Sequence, residues 1–210
     1  NPKPLAPPLF TLDNGEVGYS AGNPILRRLN LRLDMDDRIA LLGQNGNGKS
    51  TFAKLISGRL DIMNGELKKS GKLEVGYFAQ HQLDELNPEG TPLSHLKERM
   101  VNVPESKVRA KLGAFSFGVD KAMTRVEDLS GGEKARLLFA LMSLNAPHIL
   151  ILDEPTNHLD VESREALIHA INGYEGAVIM ISHDRHLIEA CADRLWLVNE
   201  GTVTSYDGDM

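Results

Sequence analysis

The sequence predicts an α/β fold on a mostly parallel central sheet, and three stretches carry that prediction. "RIALLGQNGNGKSTFAKLISG", from Arg38 to Gly58, places a glycine-rich turn between an apolar strand and a helix. "PHILILDEP", from Pro147 to Pro155, is a short continuous apolar run that ends in two carboxylates, Asp153 and Glu154. "AVIMIS", from Ala177 to Ser182, is a second run of the same kind. Runs of this length without polar alternation suit strands buried on both faces, as in a parallel sheet covered by helices.

Bulk composition narrows the field. At 210 residues the chain can bury a full core. Its 25% charged and 41% apolar residues are those of a globular protein, and with 5% aromatics the core must rest on Leu, Ile, Val and Ala. No apolar run approaches the roughly 18 residues that span a bilayer. The net charge of −6 argues against bulk attraction to nucleic acid, although "KKSGK" at 68–72 makes a small basic turn. A single cysteine, Cys191, excludes an internal disulfide and a cysteine-built metal site, and reads as a buried thiol in a helix.

In chain order, "NPKPLAPP" reads as an extended linker over 1–8, and both ends read as cuts in a longer protein. Arg38–Leu42 is a strand, and Gly43–Ser50 fits G-x-x-x-x-G-K-S. A helix then runs from Ser50 to Ser57, closed by Gly58. The glycines Gly43, Gly46 and Gly48 let backbone N–H groups close on phosphate oxygens, and the helix start adds donors and partial positive charge. Lys49 can reach outer phosphates, and the Ser50 hydroxyl can bind Mg²⁺.

"LSGGEKARLLFALMSLNAP" contains a second helix start. Ser130 and Glu133 have the spacing of a capping box, and Leu137, Leu138, Leu141 and Leu144 make an apolar face. Gly131 and Gly132 weaken a first helical turn, which suggests that a phosphate approaches there too. At the tip of the 149–152 strand, Asp153 suits a metal ion and Glu154 suits the attacking water. His183, Asp184 and His186 lack a nearby third histidine, so a metal trio is disfavoured; Trp196 reads as a packed strand residue.

Together the phosphate loop, "LSGGE" and "ILDEP", in this order, resemble the ATP-binding domain of the ABC ATPase superfamily from about Leu9 onward. The resemblance implies an N-terminal antiparallel part, a core over about 9–80 and 146–210, and an inserted helical subdomain over about 81–145. It implies ATP and Mg²⁺ as cofactors, held by Gly43, Asn45, Gly46, Asn47, Gly48, Lys49, Ser50 and Thr51, with Tyr19 stacked on adenine. It assigns Gln80 to the metal and attacking water, Glu154 to catalysis and His183 to the γ-phosphate. Ser130, Gly131, Gly132 and Glu133 would contact the ATP of a second, head-to-tail domain, and Asp160 would lie in the loop between the domains. A core tyrosine is the competing reading of Tyr19.

"NHLD", "GYFAQHQ", "LSGGEKARL" and "SHDRHLI" resemble the ABC-F branch, bacterial members especially, and the second of its two tandem domains. The ending "VTSYDGDM" is similar to the C-terminal motif of that domain. That branch implies a cytoplasmic ATPase acting on the ribosome near tRNA, without membrane insertion. Two alternatives stay open: an ATPase subunit of a membrane transporter, and an ATP-gated clamp in DNA metabolism.

Overall fold

A computed structural model describes residues 2–206; the last four residues of "VTSYDGDM" lie outside them. Tertiary contacts divide the chain into two units. One holds the residues up to Tyr77, Pro147–Glu154 and those from Glu175 onward; the other holds Phe78–Ala146 and Pro155–Tyr174.

The first unit contains the sheets. Strands β1 (Phe10–Val17), β2 (Leu26–Leu33) and β4 (Asn64–Lys69) form an antiparallel sheet in the order β2-β1-β4. Strand β2 alternates buried leucines (Leu26, Leu29, Leu31, Leu33) with exposed polar residues, as a strand with one face on a core should. The second sheet runs β5-β6-β7-β3-β8-β9, with β3 (Arg38–Leu42), β5 (Val75–Ala79), β6 (Ile149–Asp153), β7 (Ala177–Ile181), β8 (Arg194–Asn199) and β9 (Thr202–Tyr206). Strands β6, β7, β3 and β8 pair in parallel, and β9 is antiparallel to β8. The α/β class with a mostly parallel sheet and an antiparallel part is therefore present. All five residues of β7 are buried, which is why its sequence does not alternate.

Helix α1 (Lys49–Ile56) presses Phe52 against Trp196 with ring centroids 5.8 Å apart, nearly edge to face. It starts one residue earlier than expected and ends into Gly58, whose φ is +77°. Residues 2–8 are not a free tail: Leu5 packs on the core, and the Lys3 carbonyl meets His148 Nε2 at 3.1 Å. His148 also accepts from Glu74 N at Nδ1, so both ring nitrogens are satisfied although the residue is buried.

The second unit is helical: α2 (Pro92–Arg99), α3 (Glu105–Ala114), α4 (Val119–Ala122), α5 (Gly131–Ser143) and α6 (Val161–Asn172). Its core joins Leu96, Leu112, Val126, Leu137 and Leu141. Its extent differs from the 81–145 expected, because α6 packs on α5 and carries 155–174 with it. Helix α7 (Arg185–Cys191) belongs to the first unit, with Cys191 buried as expected.

Candidate functional site

In the sheet unit the site begins at the end of β3. Gly43 follows the strand, and a Cβ there would stand 2.6 Å from the Val198 carbonyl. The chain then turns through Gly46 at φ +85° and enters α1 through Gly48 at φ +108°. A side chain at Gly48 would be strained and would also meet Leu26 at 2.8 Å. Because the N-cap is this glycine, no side chain caps α1, and its first N–H groups remain for a ligand. Asn45 and Gly46 are exposed at the loop tip and Asn47 half-exposed; Ser50 is exposed on the first turn of α1.

Lys49 is buried, and its ammonium donates to the Gly43 carbonyl. An ammonium has three donors, so this bond holds the side chain across the loop and leaves two N–H groups for phosphate oxygens. Thr51 is buried and donates from Oγ1 to the Tyr19 hydroxyl at 3.4 Å. Lys54 donates to the same hydroxyl at 3.2 Å and stands 5.1 Å from the ring centroid. The Thr51 hydrogen bond, and then Lys54, hold the Tyr19 phenol below its ordinary pKa against the opposing effect of burial. Tyr19 is 56% exposed, so the core reading of this residue is wrong. It borders a surface hollow of about 580 Å³ together with Pro24, Asp61, Ile62 and Asn64.

The carboxylate tip lies at the end of β6, beside β7. Asp153 closes the strand opposite Ile181, and Glu154 N donates to the Ile181 carbonyl at 2.7 Å. Glu154 then takes φ +48°, an uncommon conformation for a residue with a side chain. Its carboxylate stands 3.6 Å from His183 Nε2, and that nitrogen is 3.3 Å from Asn45 Oδ1. The end of β3, the tip of β6 and the residue after Ser182 are thus joined side chain to side chain. Next to His183, Asp184 caps α7 by accepting from Leu187 N at 3.2 Å.

Asp153 Oδ2 accepts from the Tyr77 hydroxyl at 2.8 Å. Burial, and then the Asp153 carboxylate, push the Tyr77 phenol well above its usual range, so it stays protonated and donates. Sequence reasoning passed over Tyr77. The only available signal was a tyrosine three residues before Gln80, and strand order could not be read from the sequence.

The remaining predicted residues belong to the helical unit. Gln80 opens a 3₁₀ turn over Gln80–Leu83, and its Nε2 donates to the Asn157 carbonyl at 3.1 Å. Ser130 and Glu133 form the predicted capping box: Glu133 N donates to Ser130 Oγ at 3.1 Å, and Ser130 N to Glu133 Oε1 at 3.2 Å. Lys121 pairs with the Glu133 carboxylate at 3.0 Å. Burial opposes it, but Lys121 and the Ser130 N–H hold the Glu133 carboxyl below its ordinary range. Glu133 is therefore engaged within its own unit, by Lys121 and by both the N–H and the hydroxyl of Ser130.

The two glycines differ in their surroundings. A Cβ at Gly132 would lie 1.9 Å from Ser163 Oγ, so the close approach of α5 and α6 accounts for this glycine. A Cβ at Gly131 would meet only Leu159, at 3.9 Å, so packing does not explain that one. Asp160 caps α6, accepting from Ser163 N at 2.7 Å, and this bond holds its carboxyl below the usual range. Arg136 of the same motif donates to the Phe115 and Ser116 carbonyls and lies over the Phe117 ring at 5.3 Å.

Comparisons with known proteins identify the family. A family profile described as ABC transporter matches residues 26–157. The "Probable ATP-binding protein YheS" of Haemophilus influenzae is 42% identical over all of this chain, which covers 33% of that protein. "ABC transporter F family member 3" of Arabidopsis thaliana is 41% identical over 96% of the chain and 28% of its own length. "Protein GCN20" of Saccharomyces cerevisiae is 36% identical over 97% and 27%. The chain thus spans about a third of the length of the curated relatives it matches.

Among solved structures, cbiO1 from Clostridium perfringens, part of the ABC transporter complex cbiONQ, superposes with a TM-score of 0.79 at 22% identity, over 94% of this chain and 87% of that one. The ATP-binding cassette MJ0796, a dimer in a post-hydrolysis state bound to ADP and Pi, superposes at 0.71 and 20% identity, over 95% and 100%. These two share the fold. This chain belongs to the ABC transporter family, as an ATP-binding cassette domain with ABC-F relatives.

Proposed function

We propose that this chain is the second of two cassette domains of an ABC-F protein, and that it hydrolyses ATP to drive action on the ribosome. The Glu154–His183–Asn45 cluster carries the hydrolytic part of this reading, because it joins a general-base candidate to the phosphate loop. The residues fit Mg²⁺-ATP. An uncapped helix start, a buried lysine and an exposed Ser50 serve the phosphates and a metal; Asp153 supplies a carboxylate oxygen. Mg²⁺, when bound, neutralises phosphate charge and orients the transferred group.

In the reaction, water attacks the γ-phosphorus, the bond to ADP breaks, and ADP and phosphate leave. Glu154 accepts a hydrogen bond from that water and polarises it; His183 donates to the γ-phosphate. Lys49 holds the outer phosphates. Gln80 would contact the metal and the attacking water. Tyr19 stacks against adenine, for which its exposed ring and the hollow beside it are suited. Ser130 and Gly131 serve the nucleotide of the other domain; Asp160 lies in the loop between them.

The ribosome reading rests on the likeness to F-family proteins, and its location would be cytoplasmic. It is tested by sedimenting the intact protein carrying Glu154→Gln through a sucrose gradient with ribosomes. The expected outcome is a turnover loss of about 100-fold or more with ATP binding kept, and ATP-dependent co-migration with ribosomes. Wild-type turnover removes Glu154 from the mechanism. Absent co-migration with ATP binding intact shifts the partner to DNA or a membrane complex.

A further inference from the structure

The two carboxylates at the tip of β6 are held differently. Glu154 faces an exposed histidine at 3.6 Å, whereas Asp153 is tethered through Oδ2 to the Tyr77 hydroxyl at 2.8 Å. Tyr77 is itself fixed. Its half-buried ring packs on the main core, and the Arg59 guanidinium lies 4.8 Å from the ring centroid. Arg59 follows α1, and its N–H donates to the Lys54 carbonyl, so the tether is anchored to the helix that begins at the phosphate loop. We propose that Tyr77 is a positioning residue for the metal-binding carboxylate, fixing the Asp153 rotamer so that Oδ1 is the oxygen offered to Mg²⁺.

The chemistry favours a phenol here. An arginine or lysine in its place would orient Asp153 and also neutralise it, competing with the metal. A protonated hydroxyl donates one hydrogen bond and leaves the full negative charge on the carboxylate. Groups that orient a metal ligand from behind typically change metal affinity by about 10- to 100-fold when removed.

This proposal rests on Asp153 being the metal residue, and the experiment separates the two claims. The intact protein, with the phosphate-loop lysine of any second cassette domain replaced by Ala, is titrated with a fluorescent ATP analogue in EDTA. It is then titrated with Mg²⁺ at fixed analogue, to find the Mg²⁺ concentration that gives half of the gain in binding. Tyr77→Phe keeps the ring under Arg59 and removes only the hydroxyl. It is expected to leave metal-free affinity within about twofold and to raise the half-saturating Mg²⁺ about tenfold. Asp153→Asn is the reference and should show a larger rise. If Asp153→Asn shifts the Mg²⁺ response and Tyr77→Phe does not, the positioning role is overturned. If neither shifts it, the assignment of Asp153 fails and the role of Tyr77 fails with it. A loss of metal-free binding in Tyr77→Phe would make the residue structural and also overturn the proposal.

Discussion

Helices α1 and α5 begin in opposite ways. Helix α1 starts at a left-handed glycine with no side-chain cap, and a buried lysine is its first residue. Helix α5 starts at a serine in extended conformation with a complete capping box, and its Glu133 is paired to Lys121. The first has no side-chain cap on its N–H groups; in the second, the Ser130 side chain takes the Glu133 N–H. A capped start of this kind suits the proposed contact with the ATP of another domain.

The sharpest way to break this contrast is at α1. Lys49→Ala removes the buried ammonium and should weaken ATP binding by about 100-fold, near 3 kcal/mol, in an equilibrium titration. Unchanged affinity would mean that α1 is an ordinary helix.

A smaller effect sharpens the contrast within α5. Gly132→Ala drives a Cβ into Ser163, a short side chain on a packed helix, and should cost about 1–3 kcal/mol by chemical denaturation. Gly131→Ala meets open space and should be neutral, or stabilise by up to about 1 kcal/mol. Equal effects of the two would contradict the close approach of α5 and α6.

Much of this was legible from residues alone. The strand at Arg38–Leu42, the helix after the phosphate loop, the capping box at Ser130 and the strand ending in Asp153 follow from local patterns, and each stands within one residue of where the sequence put it. What could not be read depends on partners distant in sequence. Tyr77 and Asp153 are 76 positions apart and meet only because β5 and β6 are neighbours. The packing reason for Gly132 was hidden because Ser163 is out of reach of any local pattern. Residues 2–8 looked like a linker because prolines signal extension, and extension does not exclude docking on a core.

The central claim is that the two helix starts serve different nucleotides, and Ser130→Arg in the intact protein tests it most directly. The large side chain blocks the approach to Gly131 and leaves the phosphate loop untouched. ATP affinity of the domain's own site should stay within about twofold while turnover falls at least about tenfold. Loss of that affinity in step with turnover would mean that both helix starts hold one nucleotide, and would contradict the account.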